Sequence, residues 1–260
     1  MSVVRFEGKT LDPATIRALV SGTLMEGATL GQWWGKQSRD LRELFMREIR
    51  TAMSNGESLT QATVRIVGGT VDGVTVPGIM KTTKRKANAL AATAMNSVSN
   101  EAALKTFQEN NDVIKAVTQV STLDNKASDI CIAYSGQTWN VESLRPIPPS
   151  KLPFNSGPPR HFNCRSRLRP VTKSFKELGI DAKEIPPGAR ASMDGQVPAD
   201  ITFDEFLIKK SDTFQNKLLG TKRAQLWRNN QITLTQLVDF RGFPLTLEQL
   251  EQLVTGGSHQ

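Results

Sequence analysis

Val113-Ile-Lys-Ala-Val-Thr-Gln-Val-Ser-Thr-Leu123 decides the fold. It is rich in β-branched residues and is the best strand candidate, and Thr138–Val141 is its candidate partner. The polar run between them, Asp124 to Gln137, reads as a turn carrying Cys131. Upstream, residues 82 to 109 read as one long helix with Leu90, Thr93, Ala94, Val98, Ala102 and Phe107 along it. Its many small residues imply close packing against a neighbour. Downstream, Pro146 to Pro159 contains six prolines, which no helix or central strand accommodates, so this segment is expected to be a loop.

Further out, helical signals take over. Asp12-Pro13 pairs an N-cap with proline at the first helical position, and Ile16, Leu19, Val20 and Leu24 follow at helical spacing. A longer helix places Leu30, Trp33, Trp34, Leu41, Leu44, Phe45 and Ile49 on one stripe and ends at Gly56. The Trp pair suits either a core or an interaction surface. Ser58-Leu-Thr-Gln61 has capping-box form and opens a short helix that stops at Gly68-Gly69. Residues 70 to 80 read as a turn or small hairpin. Beyond Phe175, Thr202-Phe-Asp-Glu205, Thr233-Leu-Thr-Gln236 and Thr246-Leu-Glu-Gln249 repeat the capping box, with another helix around Phe214 to Leu219 and a frayed tail, TGGSHQ. The expected fold class is α+β and mostly helical. It divides into an N-terminal helical region (1–80), a central α+β core with a basic loop (81–176) and a C-terminal cap of short helices (177–260).

Composition narrows the chemistry. The 260 residues include two His, and His259 is the penultimate residue, so an imidazole inside the fold must be His161. A two-histidine metal helix is absent, and a Ser-His-Asp arrangement would have a single possible base. The two cysteines, Cys131 and Cys164, exclude a disulfide scaffold and a four-cysteine zinc module. No run approaches the roughly 18 apolar residues of a membrane span. The opening MSVVRFEGKTLD lacks an apolar run with a cleavage site, so synthesis in the cytoplasm is expected.

The net charge is +8, and residues 143 to 176 account for all of it. They hold Arg145, Lys151, Arg160, Arg165, Arg167, Arg169, Lys173 and Lys176 without an Asp or Glu. Such a run is either a solvated loop or a polyanion contact, and clustered Arg and Lys displace counterions from nucleic-acid phosphates. In an extended backbone Arg165, Arg167 and Arg169 fall on one face. A second run, Lys81, Lys84, Arg85 and Lys86, opens the long helix. Positive charge there opposes the helix macrodipole, which an anionic partner would explain and outward-pointing side chains would also allow.

The most specific pattern joins Ser121-Thr-Leu-Asp124, Asp129-Ile-Cys131 and Gly136 to Gly157-Pro-Pro-Arg-His161-Phe-Asn-Cys164-Arg-Ser-Arg167. Cys131, His161 and Cys164 could be three ligands of a zinc ion, with Asp129 as a possible fourth; the alternative is two buried thiols and a histidine that donates to a loop carbonyl. A disulfide between the two cysteines is disfavoured in a cytoplasmically assembled protein. With these motifs the chain resembles the phage Mu protein F-like minor head proteins, also called head morphogenesis proteins. The resemblance extends to Ala191–Pro198, Phe203–Leu207, Leu219–Arg223 with Leu226-Trp227, and Leu245–Leu250. Two departures stand out. Relatives often carry a second Cys in each segment where this chain has Tyr134 or a neighbour and Ser166, and often an Arg before the helix Thr, where this chain has Ala92.

The resemblance implies a minor capsid protein of a tailed phage, not an enzyme, built into the procapsid and associated with the portal vertex. Its implied partners are the portal protein, the major capsid or scaffolding protein, and double-stranded DNA contacted without base readout during packaging or ejection. DNA would meet Arg160, Arg165, Arg167, Arg169 and Lys173 with the Lys81–Lys86 run. The alternatives are an adaptor whose basic loop meets acidic capsid protein, and an ADP-ribosyltransferase-like enzyme by fold-level kinship.

Overall fold

The computed structural model describes residues 24–25, 28–29, 39–71, 73–80, 84–186 and 188–256. The expected helix at Asp12-Pro13, the Trp33-Trp34 pair, Lys81 and the last four residues lie outside that set. The architecture is α+β and mostly helical, with small sheets. Two-residue strands β1 (Leu24–Met25) and β2 (Ala28–Thr29) pair antiparallel. The chain forms two compact units. One runs to Asn110 and adds Asn155–Arg167; the other comprises Asn111–Phe154 and everything from Leu168 onward.

In the first unit, α1 (Arg39–Ser54) and α2 (Leu59–Val67) pack with α3 (Lys84–Glu109). Of the stripe expected here, α1 buries Phe45 and Ile49 fully and Leu41 and Leu44 in part, with Ala52 added to the same core and Leu30 outside the described residues. Gly56, at φ +65, ends that helix. Ser58 and Gln61 form the capping box of α2, whose buried face is Ala62, Thr63 and Ile66. Arg65 reaches Glu57 with Nε at 2.6 Å and Glu48 at 3.3 Å, tying α2 to α1. A short hairpin, β3 (Gly69–Val71) and β4 (Val74–Val76), fills the place expected for it. The fully buried residues that α3 gives to this cluster are alanines, Ala87, Ala91 and Ala94, which lets its backbone approach α1 and α2 closely, while Leu90 and Met95 pack against the cluster from the same helix. Thr93, Asn96, Ser97 and Asn100 are buried as well. A helix covered around so much of its circumference has no simple polar face.

In the second unit the expected strand is β5 (Ile114–Val120), central in a sheet ordered β6-β5-β7, with β6 (Thr138–Asn140) and β7 (Arg167–Thr172) as neighbours. β5 and β6 are antiparallel, with Val117 opposite Trp139. Trp139 is fully buried, donates from Nε1 to the Leu152 carbonyl at 2.8 Å, and meets Phe154 edge-on at 5.3 Å. That bond gives the proline-rich segment an ordered anchor. The run between β5 and β6 is more than the expected turn: it contains α4 (Asp129–Tyr134), capped by Ser128, whose hydroxyl accepts from the Cys131 N–H at 3.4 Å. Six residues are too few to establish a helical period, so only Ser128-Asp129 announced it.

A hairpin that the sequence reading had not identified follows, β8 (Ala189–Ser192) and β9 (Gly195–Pro198), turned at Met193-Asp194. The C-terminal helices are α5 (Phe203–Ile208), α6 (Asp212–Leu219), α7 (Thr221–Arg228), a 3-10 turn (Leu234–Leu237) and α8 (Leu247–Gly256). The capping boxes at Thr202, Thr233 and Thr246 all form. Their buried side chains include Phe203, Phe206, Leu207, Leu219, Leu234, Leu237 and Leu250.

Candidate metal and polyanion site

The loop carrying His161 and Cys164 is held by a polar ladder on α3. Thr93, Asn96 and Asn100 stand at i, i+3 and i+7, on one side of the helix. The Thr93 hydroxyl accepts from the Asn163 N–H at 3.0 Å; Asn96 Nδ2 donates to the Cys164 carbonyl at 2.6 Å. Asn100 Nδ2 donates to Asn96 Oδ1 at 2.7 Å and reaches the Ser166 carbonyl at 3.3 Å. Side chains thereby satisfy loop groups that enter no strand or helix. Asn163 sits at φ +59, a left-handed conformation that asparagine tolerates, and reverses the chain between His161 and Cys164. The Cys164 N–H closes the turn on the His161 carbonyl at 3.1 Å.

This turn sets up two metal donors. Donor atoms of His161 and Cys164 lie within 4.8 Å of one another. His161 Nδ1 is 2.8 Å from the Phe162 carbonyl, which can only accept, so Nδ1 donates in this contact. A backbone carbonyl fixing one nitrogen is the usual arrangement behind a metal-binding histidine. Cys164 is buried, and neither it nor Cys131 is in a disulfide. Cys131 lies in the first turn of α4, where its carbonyl accepts the Ser121 hydroxyl at 2.6 Å. That bond joins the Ser121-Thr-Leu-Asp124 motif to the cysteine helix.

Asp129, named as a possible fourth ligand, has its carboxylate engaged by Arg223, which also donates to the Leu245 carbonyl at 2.8 Å. Burial pushes the Asp129 pKa up and the guanidinium pulls against it. The Asp129 carboxylate is thus one half of an ion pair with Arg223.

The basic stretch is not one continuous surface. Arg160 is 7% exposed, so it presents no charge to a duplex, against the expectation for it. Arg169 donates to the Ala199 carbonyl at 2.9 Å and Lys173 to the Asp112 carbonyl at 2.8 Å; both are partly buried. Arg145, Lys151, Arg165, Arg167 and Lys176 are exposed. Arg167 and Arg169 alternate with buried Leu168 in β7, as the extended reading required, while Arg165 precedes the strand. On α3, Lys84, Arg85 and Lys86 are exposed. Asn96 and Asn100 are the site residues that sequence reasoning missed. Their signal was two asparagines one turn apart among small residues on a long helix.

The segment from 43 to 169, with both motif-bearing loops and the polar ladder inside it, matches a protein-family model. That model describes the phage Mu protein F like proteins, to which residues 43–169 of this chain are similar. No curated protein and no solved structure matches the chain.

Proposed function

We propose that the protein is a minor capsid protein of a tailed phage, incorporated during procapsid assembly, that touches packaged double-stranded DNA without reading its sequence and so supports packaging or ejection. The observation that carries the reading is the family match, which contains the exposed Arg145, Lys151, Arg165 and Arg167. The portal protein, with the major capsid or scaffolding protein, is the protein partner of this reading, and the virion at the portal vertex its location. Among the described residues no helix is long and apolar enough to cross a membrane.

The DNA contact is tested by affinity for unrelated duplexes across a salt series. Comparable affinities that fall with salt are expected. Arg165→Ala with Arg167→Ala reduces the slope of log K against log salt by about 1.8 if each side chain neutralises one phosphate. A salt-independent affinity sinks this part of the reading.

Zinc belongs to the same proposal, held by Cys131, His161 and Cys164. When bound it would supply a crosslink, with thiolate and imidazole donors suited to the ion and one position left for a further ligand. Metal analysis of purified protein is expected to find about one zinc per chain. His161→Ala should lose it. A metal-free protein that does not take up added zinc removes zinc from the proposal.

A further inference from the structure

Val238 to Pro244 forms a closed turn whose tip is aromatic. Val238 and Pro244 bridge antiparallel, and the Asp239 N–H donates to the Phe243 carbonyl at 2.8 Å. The Asp239 carboxylate accepts from the backbone N–H groups of Arg241 at 2.9 Å and Phe243 at 2.8 Å. This turn is pre-ordered by its own hydrogen bonds. It nevertheless holds Phe240 81% exposed and Phe243 62% exposed. The Arg241 guanidinium lies 5.6 and 5.4 Å from the two ring centroids, with Nε donating to Asp239 at 3.2 Å. Two phenylalanines and an arginine on a rigid projection have the composition of a binding hot spot, with little ordering entropy left to lose.

The same unit contains a matching receptor. A cavity of about 420 Å³ has Pro198, Ile201 and Ile208 as apolar lining and Asp200, Glu205 and Lys209 as charged lining. Ile208 is 67% exposed. The Glu205 carboxyl is held below its ordinary pKa by the Thr202 N–H and hydroxyl, so it is ionised at neutral pH. Asp200 is exposed and lies beside it in sequence and in the lining. Asp200 and Glu205 against the single Lys209 leave the lining with a net negative charge, which with its apolar walls is complementary to paired rings carrying a guanidinium.

We propose that this cavity receives the Phe240-Arg241-Gly242-Phe243 tip of a second copy of the chain. The rings meet Ile201, Ile208 and Pro198, and Arg241 meets Asp200 and Glu205. Tip and cavity are different surfaces, so the contact is heterologous: each copy offers one of each, and association runs head to tail into a ring or an open chain. The inference stands apart from the DNA and zinc readings.

Sedimentation velocity on the full chain over a range of concentrations tests it. Wild type is expected to pass beyond a dimer as concentration rises. Phe240→Ala with Phe243→Ala weakens association by at least about tenfold, and Ile208→Glu does the same from the cavity side. All three positions are exposed, and an unchanged thermal transition confirms that each variant is folded. The decisive sample mixes the tip variant with the cavity variant: one intact interface remains between them, so they form a one-to-one dimer that grows no further. Wild type that stays monomeric, assembly unaffected by either variant, or a mixture that gives no dimer overturns the proposal.

Discussion

Gly242→Val is expected to destabilise the second unit by about 3 kcal/mol or more, through strain and overpacking together. Gly242 adopts φ +90, a conformation open to glycine and costly for a β-branched residue. A Cβ there would lie 2.1 Å from the Tyr134 hydroxyl oxygen and 3.0 Å from its ring. Tyr134 cannot swing aside into water, because it is fully buried and stacks with Trp139 at 6.1 Å. Displacing it would press on the indole that fixes the Leu152 carbonyl. Urea unfolding measures the loss, with Phe240→Ala on the same turn as the control, expected within about 0.5 kcal/mol of wild type because that side chain is exposed. Gly242→Ala should fall between the two. Adding Tyr134→Phe to it should return part of the loss, since the nearest clashing atom is then gone. A Gly242→Val protein with an unchanged midpoint would show that the turn is not seated against Tyr134.

What the sequence disclosed follows from the range of the interactions involved. The capping boxes at Ser58, Thr202, Thr233 and Thr246 were legible because both partners lie within four residues. The β5–β6 pairing was legible because β-branched residues concentrate in one run. β8 and β9 escaped, being Ala-Arg-Ala-Ser and Gly-Gln-Val-Pro, with little strand propensity; the Asp194-Gly195 pair, where the Met193-Asp194 turn enters β9, alone marked them. In the site, residue types pointed to His161 and Cys164, and the structure adds the Phe162 carbonyl that holds His161 Nδ1. Summed charge could not separate Arg160, buried, from Arg165 and Arg167, exposed, because burial is decided by distant residues. The polar ladder is the extreme case. Asn96 and Asn100 serve carbonyls 68 and 66 residues away, and no local pattern encodes such a pairing.

Asn96→Leu is therefore expected to cost about 1–3 kcal/mol although leucine is close to asparagine in size, because it removes a buried donor from the Cys164 carbonyl and one acceptor of Asn100, which keeps its bonds to the Asn96 carbonyl at 2.9 Å and the Ser166 carbonyl at 3.3 Å. The Cys164 carbonyl loses its 2.6 Å donor, and Asn100 loses the oxygen that accepts its amide at 2.7 Å. Asn96→Asp should be no better, since it keeps an acceptor for Asn100 but sets a carboxylate against the Cys164 carbonyl. Ser99→Ala on the exposed side of the same helix is the control, expected near wild type. Because Asn96 and Asn100 act in one chain of bonds, Asn100→Leu added to Asn96→Leu should cost less than the two single losses combined, since each leaves the same network broken. A second readout separates positioning from bulk stability. Under conditions where the variant stays folded, its zinc affinity should fall by about 10- to 100-fold, as when a supporting bond behind a metal ligand is removed, because the ladder orients the turn that presents His161 and Cys164. Stability lost with zinc affinity intact would make the ladder a packing device alone; both unchanged would mean that the loop is held by other contacts.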